Sequence, residues 1–321
     1  MGELTAARAI PASPPATLAH RAEYWALRAM MGALGRADWR MAGEIGARIA
    51  SLGYSPLGIR RKVVERQIAA AFPELDGRAV ARISRAAYEN LGRVTGEAAV
   101  AASLDAEQVI GMFERVDGWE LLEQAMTAGR GLLLVAGHLG NWELGGTYVA
   151  ARGVPVDAVV RRMSNPLFDA YLNASRLKLG ITVVYDHEAV RRTPRALAAG
   201  RAVGMLSDQG GKGIAAIHVP FFGRPARTPH GPAVFALRND VPLVFIVAVR
   251  EPSGRYRMSL EPVEIERTGE RERDIELLVR RYTAILERWI RAYPEQYFWH
   301  HHRWKRQPPD TPPELRDPVL S

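Results

Sequence analysis

The sequence feature that most constrains the fold is an apolar run, residues 131–136, that is followed by a glycine and a histidine. A short apolar run bounded by glycines is typical of a buried β-strand. The residues after it have the pattern of a helix start, with Glu143 in the first turn. This order places His138 at the carboxyl end of a strand, where open α/β sheets bind their ligands.

His138 and Glu143 are five residues apart, which is about 500° of rotation on an ideal helix, so they would not share one helical face. If His138 lies in the turn and Glu143 in the first helical turn, the carboxylate can reach back to the imidazole. Such a pair is a general base with its orienting acid. A buried histidine beside a capping acid is the alternative. The flanking glycines and the adjacent Asn141 favour a catalytic site.

Strand-like and helix-like runs alternate from about residue 118 onward. This alternation predicts an α/β sandwich with a mostly parallel central sheet of about seven strands, flanked by helices. The last strands could add antiparallel pairs. The expected strands are 131–136, Val156–Val160, Ile181–Tyr185, 203–206, Ala216–Phe221, 243–249 and 256–260, and the expected helices are about 141–151, 166–179, 188–199, 229–239 and 271–292.

The region before the sheet has a different pattern. Residues 1–17 contain three prolines and are expected to be a disordered leader, and residues 18–115 are expected to be helical and continuous with a core over 116–306. Two stretches combine arginines with apolar residues at helical spacing, which is typical of helices that lie at a membrane interface. Packing on the body of the protein is the alternative. The apolar positions are Tyr24, Leu27, Met31 and Leu34, then Trp39, Ile45, Ile49 and Leu52.

Charge and cysteine content limit the possible partners and chemistry. The net charge of +8 indicates an anionic partner such as a phospholipid surface, nucleic acid or an acidic protein. The chain has no cysteine, which excludes disulfides, thiolate nucleophiles and cysteine-ligated metals. No apolar run is long enough to predict a membrane-spanning helix.

Polar residues follow two further strands. Arg161 comes directly after one strand and could bind a phosphate or carboxylate, with Asn165 marking the turn into the next helix. Asp208 and Gln209 follow another strand and enter a glycine-rich loop that lacks the P-loop order. Exposed arginines and a solvent loop capped by Asp208 are the alternatives.

Aromatic residues are concentrated in two later segments. Phe221 and Phe222 either fill the core or line an acyl-chain channel. Thr228 has the pattern of a helix N-cap. Residues 297–306 interleave aromatic and basic side chains, which favours an interfacial anchor or headgroup contact over a metal site or nucleic-acid stacking. The proline-rich residues 307–321 are expected to form a loose tail.

Taken in order, these segments resemble a known family. The run from Gly137 to Glu143 resembles the catalytic motif of the bacterial lipid A late acyltransferases, the lauroyl/myristoyl transferases within the wider glycerolipid acyltransferase group. The later segments follow in the expected order, and the resemblance covers roughly residues 20–306. They are Arg161 with Asn165–Pro166, Asp208–Gln209, Pro220 to Gly223, and Tyr297 to Lys305.

The resemblance implies an acyltransferase in which His138 is the general base and Glu143 orients it or places the acceptor. It implies a polar substrate pocket and an oxyanion site at amides of the helix start, with no cofactor and no metal. The pocket residues are Asn141, Arg161, Asn165, Asp208 and Gln209, and the oxyanion residues are Gly140 and Asn141. No G-x-S-x-G elbow is present, which favours direct transfer over an acyl-enzyme.

The implied donor is a fatty-acyl thioester of acyl carrier protein or coenzyme A, and the implied acceptor is a membrane glycolipid such as a lipid A precursor. The implied location is the cytoplasmic face of the bacterial inner membrane, on an anionic surface, with no nucleic-acid partner. Charged residues such as Arg28 and Glu44 in the N-terminal helices favour peripheral attachment. A different glycolipid or aminolipid acceptor, or a non-catalytic lipid- or nucleic-acid-binding protein, is the alternative.

Overall fold

The computed structural model describes residues 15–34, 38–101, 103–211 and 213–320. Most of the expected leader (1–14) lies outside these residues, as do the side chains of Leu27, Met31 and Leu34 from the first apolar stripe. The helices are α1 Leu18–Leu34, α2 Trp39–Tyr54, α3 Arg61–Ala71, α4 Gly77–Ala101, α5 Ala106–Gly111, α6 Glu120–Thr127, α7 Trp142–Ala151, α8 Pro166–Lys178, α9 Ala189–Ala198, α10 Gly231–Asn239 and α11 Arg271–Ala292.

The strands form one central sheet and one separate hairpin. Their bounds are β1 Phe113–Asp117, β2 Leu132–Ala136, β3 Val156–Val160, β4 Ile181–Tyr185, β5 Ala202–Leu206, β6 Ala216–Phe221, β7 Arg224–Pro229, β8 Leu243–Arg250 and β9 Tyr256–Pro262. The sheet has seven strands among the described residues, in the order β1-β9-β8-β2-β5-β3-β4, and only the β8–β9 pair is antiparallel. The predicted α/β sandwich with a mostly parallel sheet is therefore confirmed.

The structure differs from the sequence prediction at two strands, β6 and β1. Ala216–Phe221 belongs to the hairpin and not to the central sheet, whose seventh position is taken by the short edge strand β1. Phe222 and Gly223 both have positive φ, as the two-residue turn of a hairpin requires. The ladder continues to the Ala216–Pro229 pair, so the predicted helix start at Thr228 is wrong and α10 begins at Gly231.

Side chains of each strand alternate between two cores. Leu132 and Leu134 of β2 pack under α5, α6 and α7, whereas Leu133 and Val135 pack against α3, α9, α10 and α11. The sheet is thus covered on both faces, as parallel sheets require. The site described below lies at the carboxyl edge, between these layers.

Helix α2 has one packed face and one exposed apolar face. Its small residues Ala42, Gly43, Gly46 and Ala47 are buried against α4, and a Cβ at Gly46 would lie 2.1 Å from the Gly92 oxygen. The opposite face exposes four large apolar side chains: Met41, Ile45, Ile49 and Leu52. Packing on the body of the protein therefore describes one face of α2, and the opposite face has the exposed apolar side chains of an interfacial helix. No helix among the described residues is long and apolar enough to cross a bilayer.

The C-terminal segments are packed into the protein. Trp299 and Trp304 are fully buried, so the predicted interfacial anchor is wrong; these rings fill the core beside Phe221. Residues 307–320 also differ from the expected loose tail. Gln307 Nε2 donates to the Leu315 carbonyl at 2.8 Å, and Arg66 Nη1 donates to the Val319 carbonyl at 2.9 Å, so side chains hold this segment, which includes a short 3₁₀ helix over Pro313–Leu315.

Candidate active site

The turn that carries His138 is fixed on both sides by main-chain hydrogen bonds. Gly140 has φ +65° and its Cβ position would lie 1.9 Å from the Ala248 oxygen, so only glycine fits there. The Phe298 N–H donates to the His138 carbonyl at 2.9 Å. The N–H groups of Gly140 and Asn141 donate to the carbonyls of Gln296 and Ala248. The two amides expected to form an oxyanion site therefore already have acceptors in this structure.

The imidazole of His138 is held by Asp208. Asp208 Oδ1 lies 2.7 Å from Nδ1 of His138, and Oδ2 accepts a hydrogen bond from the His138 main-chain N–H at 3.0 Å. This arrangement assigns the proton to Nδ1 and leaves the Nε2 lone pair for a substrate. Burial opposes ionisation of Asp208, but its attraction to His138 and the hydrogen bonds from His138 outweigh burial and lower the pKa of this carboxyl.

The register of the sheet explains this pairing. Ala136 of β2 lies opposite Leu206 of β5, and His138 and Asp208 each follow two residues later. The two side chains therefore leave adjacent parallel strands at the same level of the carboxyl edge. Asp208 takes the orienting position that the sequence had assigned to Glu143.

Glu143 has a different partner. Its two carboxylate oxygens accept from Arg176 Nη2 at 2.6 Å and from Arg176 Nε at 3.1 Å. Because Glu143 is the second residue of α7, its side chain extends across the helix surface to α8. This bidentate pair connects the two helices beside the His138 turn.

A buried arginine lies behind Asp208. Arg303 donates to the Arg227 carbonyl at 2.6 Å and to the Thr228 hydroxyl at 2.7 Å, and its charge attracts Asp208. Burial and then the Asp208 charge raise the pKa of the neighbouring Tyr297 phenol well above its usual value. Sequence reasoning missed these two supports, because the segment that carries them has the composition of a surface anchor.

A second buried network fixes the start of α7. Asn141 caps this helix by accepting from the Leu144 N–H at 2.9 Å, and its amide donates to Glu97 Oε2 at 2.8 Å. Glu97 is also bonded to the Tyr256 hydroxyl and paired with Arg250. Asn141 therefore positions the site from behind, and nothing in the sequence indicated that α4 supplies an acid here.

The remaining expected site residues lie in three places. Arg161 and Gln209 lie in the loops after β3 and β5, and a Cβ at Gly211 would lie 2.6 Å from Arg161 Nη1, so these loops meet at the carboxyl edge. Asn165 caps α8 and donates to the His20 carbonyl of α1 at 3.0 Å. Phe221 and Phe222 pack in the core, the latter against Phe72 with ring centroids 5.2 Å apart.

Two apolar cavities flank the start of α7 among the described residues. The first, here named the sheet cavity, has a volume of about 120 Å³ and lies between α7 and the strands β2, β3, β5 and β8. The second, here named the helical cavity, has a volume of about 270 Å³ and lies between α4, α7 and α8. Gly137 and Leu139, on either side of His138, line the sheet cavity. The candidate base is thus adjacent to space suited to a hydrocarbon chain.

This site lies within a region shared with known proteins. A family model described as "Bacterial lipid A biosynthesis acyltransferase" matches residues 15–306. The chain belongs to this family. It is therefore an acyltransferase, as the order of its motifs predicted.

Several curated members of the family are similar to the chain at the same level of identity. They include the "Lipid A biosynthesis lauroyltransferase" of Escherichia coli (strain K12), 26% identical over 84% of this chain and 87% of that protein. The "Lipid A biosynthesis palmitoleoyltransferase" of the same strain is 26% identical over 82% and 85%. The "Phosphatidylinositol mannoside acyltransferase" of Mycobacterium tuberculosis (strain CDC 1551 / Oshkosh) is 26% identical over 73% and 75%. These names agree on glycolipid acylation and differ in acyl group and acceptor.

Proposed function

We propose that this acyltransferase moves a fatty-acyl chain from an acyl thioester to a hydroxyl group of a membrane glycolipid, with His138 as the general base and Asp208 as its orienting acid. The observation that carries this proposal is the His138–Asp208 pair, in which Asp208 is buried and His138 is partly exposed, beside an apolar cavity. The proposed donor is a thioester of acyl carrier protein or of coenzyme A, and the proposed acceptor is a lipid A precursor.

The geometry supports a direct transfer. Nε2 of His138 takes the proton of the acceptor hydroxyl while that oxygen attacks the thioester carbonyl. The tetrahedral intermediate then expels the thiolate, which receives the proton from the imidazolium, so one ester and one free thiol are formed. The ionised Asp208 keeps Nδ1 protonated and stabilises the imidazolium during this step. The N–H groups of Trp142 and Glu143, the first two residues of α7, have no intrahelical acceptor and are candidate donors to the oxyanion.

The sheet cavity fits the donor chain. Small residues create its space: Gly145 and Gly146 of α7 lie over the sheet, and a Cβ at Gly204 would meet no described heavy atom within 4 Å. Apart from Trp142, Glu143 and Arg176, the rest of its lining is aliphatic or methionine, which suits a hydrocarbon chain. The cavity shape would then limit the length of chain that the enzyme accepts.

The exposed apolar face of α2 supports peripheral membrane attachment. Its four large side chains are 37–57% exposed, and Leu57 and Ile59 of the following turn are also exposed. The basic residues Arg60, Arg61 and Lys62 come next along the chain and lie at the surface. Apolar and basic side chains together suit an anionic bilayer. The cytoplasmic face of the inner membrane is the proposed location.

A single pair of variants tests the base assignment. His138→Ala should lower the rate of acyl transfer about 10²-fold or more, while thermal unfolding stays close to that of the unmodified protein. His187→Ala is the matched control, because His187 is half-exposed and contacts Tyr185 and Asp186, its neighbours in the chain. Mass spectrometry of the glycolipid product is the readout. Full transfer by a folded His138→Ala protein would refute the assignment.

A further inference from the structure

The helical cavity is too large to be a packing defect. Protein interiors are close-packed, with few voids larger than a water molecule, whereas this space has a volume of about 270 Å³. Most of its walls are apolar, so it is not suited to ordered water. The apolar lining includes Leu91, Val94, Ala98, Leu144, Phe168 and Leu172.

The helical cavity meets the sheet cavity beside the proposed base. Trp142, Glu143 and Arg176 line both cavities. The Trp142 ring is in edge contact with the His138 ring, with centroids 4.9 Å apart. The two apolar spaces therefore meet at Trp142, next to the His138 ring, with the Glu143–Arg176 ion pair at their junction.

The other end of the helical cavity leads to α1. A smaller pocket of about 250 Å³ lies between α1 and the start of α8, lined by Glu23, Tyr24 and Asn165 among others. It shares Met163 and Phe168 with the helical cavity. Helix α1 exposes Leu18 and Trp25 on its surface. The path thus runs from α1, through two pockets, to the first turn of α7.

We propose that the helical cavity binds an acyl chain of the glycolipid acceptor, while the sheet cavity holds the chain of the donor. This inference rests on the proposed function and adds that the acceptor is recognised through its own hydrocarbon chain. A lipid chain can enter from the α1 side past Met163 and Phe168, and it then lies in mainly apolar surroundings within the helical cavity. Its polar portion then reaches the junction at Glu143 and Arg176, where the hydroxyl meets His138.

The test reduces the volume of each cavity separately. Ala98→Leu on α4 and Leu172→Trp on α8 fill the helical cavity from opposite walls. Each should raise the KM for a glycolipid acceptor in mixed micelles about tenfold or more, because several chain methylenes lose their contacts. The preferred length of the donor chain should stay unchanged. Ala69→Leu is the control, since Ala69 is exposed on α3 and should leave both quantities unchanged.

Two outcomes would overturn the inference. One is a shift of donor preference to shorter chains in Ala98→Leu or Leu172→Trp, which would place the donor chain in the helical cavity. The other is an unchanged acceptor KM in both folded variants.

A binding measurement separates this inference from the proposed function. Dodecyl maltoside, which has one alkyl chain and a sugar headgroup, is titrated into the protein below its micellar concentration. Weaker binding to Ala98→Leu than to Gly204→Leu supports the helical cavity as a chain site even if no transfer is detected with any thioester. Equal binding to both variants contradicts it.

Discussion

The imidazole of His138 is bound by Asp208, 70 residues away in the chain, at 2.7 Å, and not by Glu143, which lies five residues away. The two acids have different environments. Asp208 is 1% exposed and faces the imidazole, whereas Glu143 is a third exposed and is bound by Arg176. Burial and the hydrogen bonds from His138 make Asp208 an orienting acid, and the ion pair makes Glu143 a connection between α7 and α8.

Replacing Asp208 by asparagine should lower kcat about 10³-fold or more, because an amide can stabilise the wrong tautomer of His138 and cannot stabilise the imidazolium. The pKa of Asp208 is lowered, so this carboxylate stays ionised throughout the pH range around neutrality. Asp208 should therefore add no limb of its own to the pH–rate profile. Asp186→Asn is the control, since Asp186 lies beside the half-exposed His187. Near-normal turnover by a folded Asp208→Asn protein would contradict the assignment.

The position of His138 could be predicted from the sequence, but the identity of its partner could not. An apolar run, a glycine and a helix start are local signals that place the histidine at a strand end. The Asp208 contact depends on β2 and β5 being neighbours in register, although β3 and β4 separate them along the chain. Strand order is a property of the whole sheet, and no local pattern encodes it.

The sequence also did not show which aromatic and basic side chains are buried. The segment from Tyr297 to Arg306 has two tryptophans beside basic residues, a composition shared by membrane anchors and by this core. Here Arg303 is buried because carbonyl and hydroxyl acceptors of the hairpin surround its guanidinium. The α2 stripe shows the reverse case, since helical periodicity predicted the apolar face correctly and tertiary packing through glycines left that face exposed.

Substitutions at Gly204 should shorten the donor chain that the enzyme accepts. The position faces the sheet cavity, and an added Cβ would meet nothing among the described atoms within 4 Å, so alanine can enter without disturbing the strand, and the larger valine and leucine extend into the cavity. The preferred chain should become progressively shorter in that order, as each added group removes space for a methylene. Competition among thioesters of different length, read by product mass, measures the effect. An unchanged preference in Gly204→Leu would exclude the sheet cavity as the donor site.

Membrane binding should depend on the exposed face of α2. The double substitution Ile45→Gln and Ile49→Gln replaces apolar side chains that are 37% and 49% exposed, so thermal stability should change little. Co-sedimentation with anionic vesicles should fall about tenfold, and added salt should weaken the remaining binding of the unmodified protein. Val190→Gln on α9 is the matched control, because Val190 is exposed on a different helix. Equal losses in both proteins would argue against a specific membrane face.

Stability should decrease with acidity because of two buried histidines. Burial lowers the pKa of His300 to about 4, and it lowers that of His301 to about 4 despite the opposing charge of Asp208. Both nitrogens of His300 lack a hydrogen-bond partner among the described residues, and its ring packs against Tyr88 with centroids 4.2 Å apart. The folded protein therefore holds this ring neutral.

The pKa of His300 is 6.5 in the unfolded chain and about 4 in the folded chain. At pH values between these two, the unfolded state binds more protons than the folded state. The contribution of these imidazoles to the free energy of unfolding should thus be fully present above about pH 6.5. The free energy of unfolding should fall as the pH decreases towards 4, by at most about 3 kcal/mol for each imidazole. Urea unfolding at a series of pH values measures this slope. His300→Phe keeps the aromatic contact without a titratable group, so its slope should be smaller than that of the unmodified protein. An identical slope would show that His300 is already charged, or already exposed, in the folded protein.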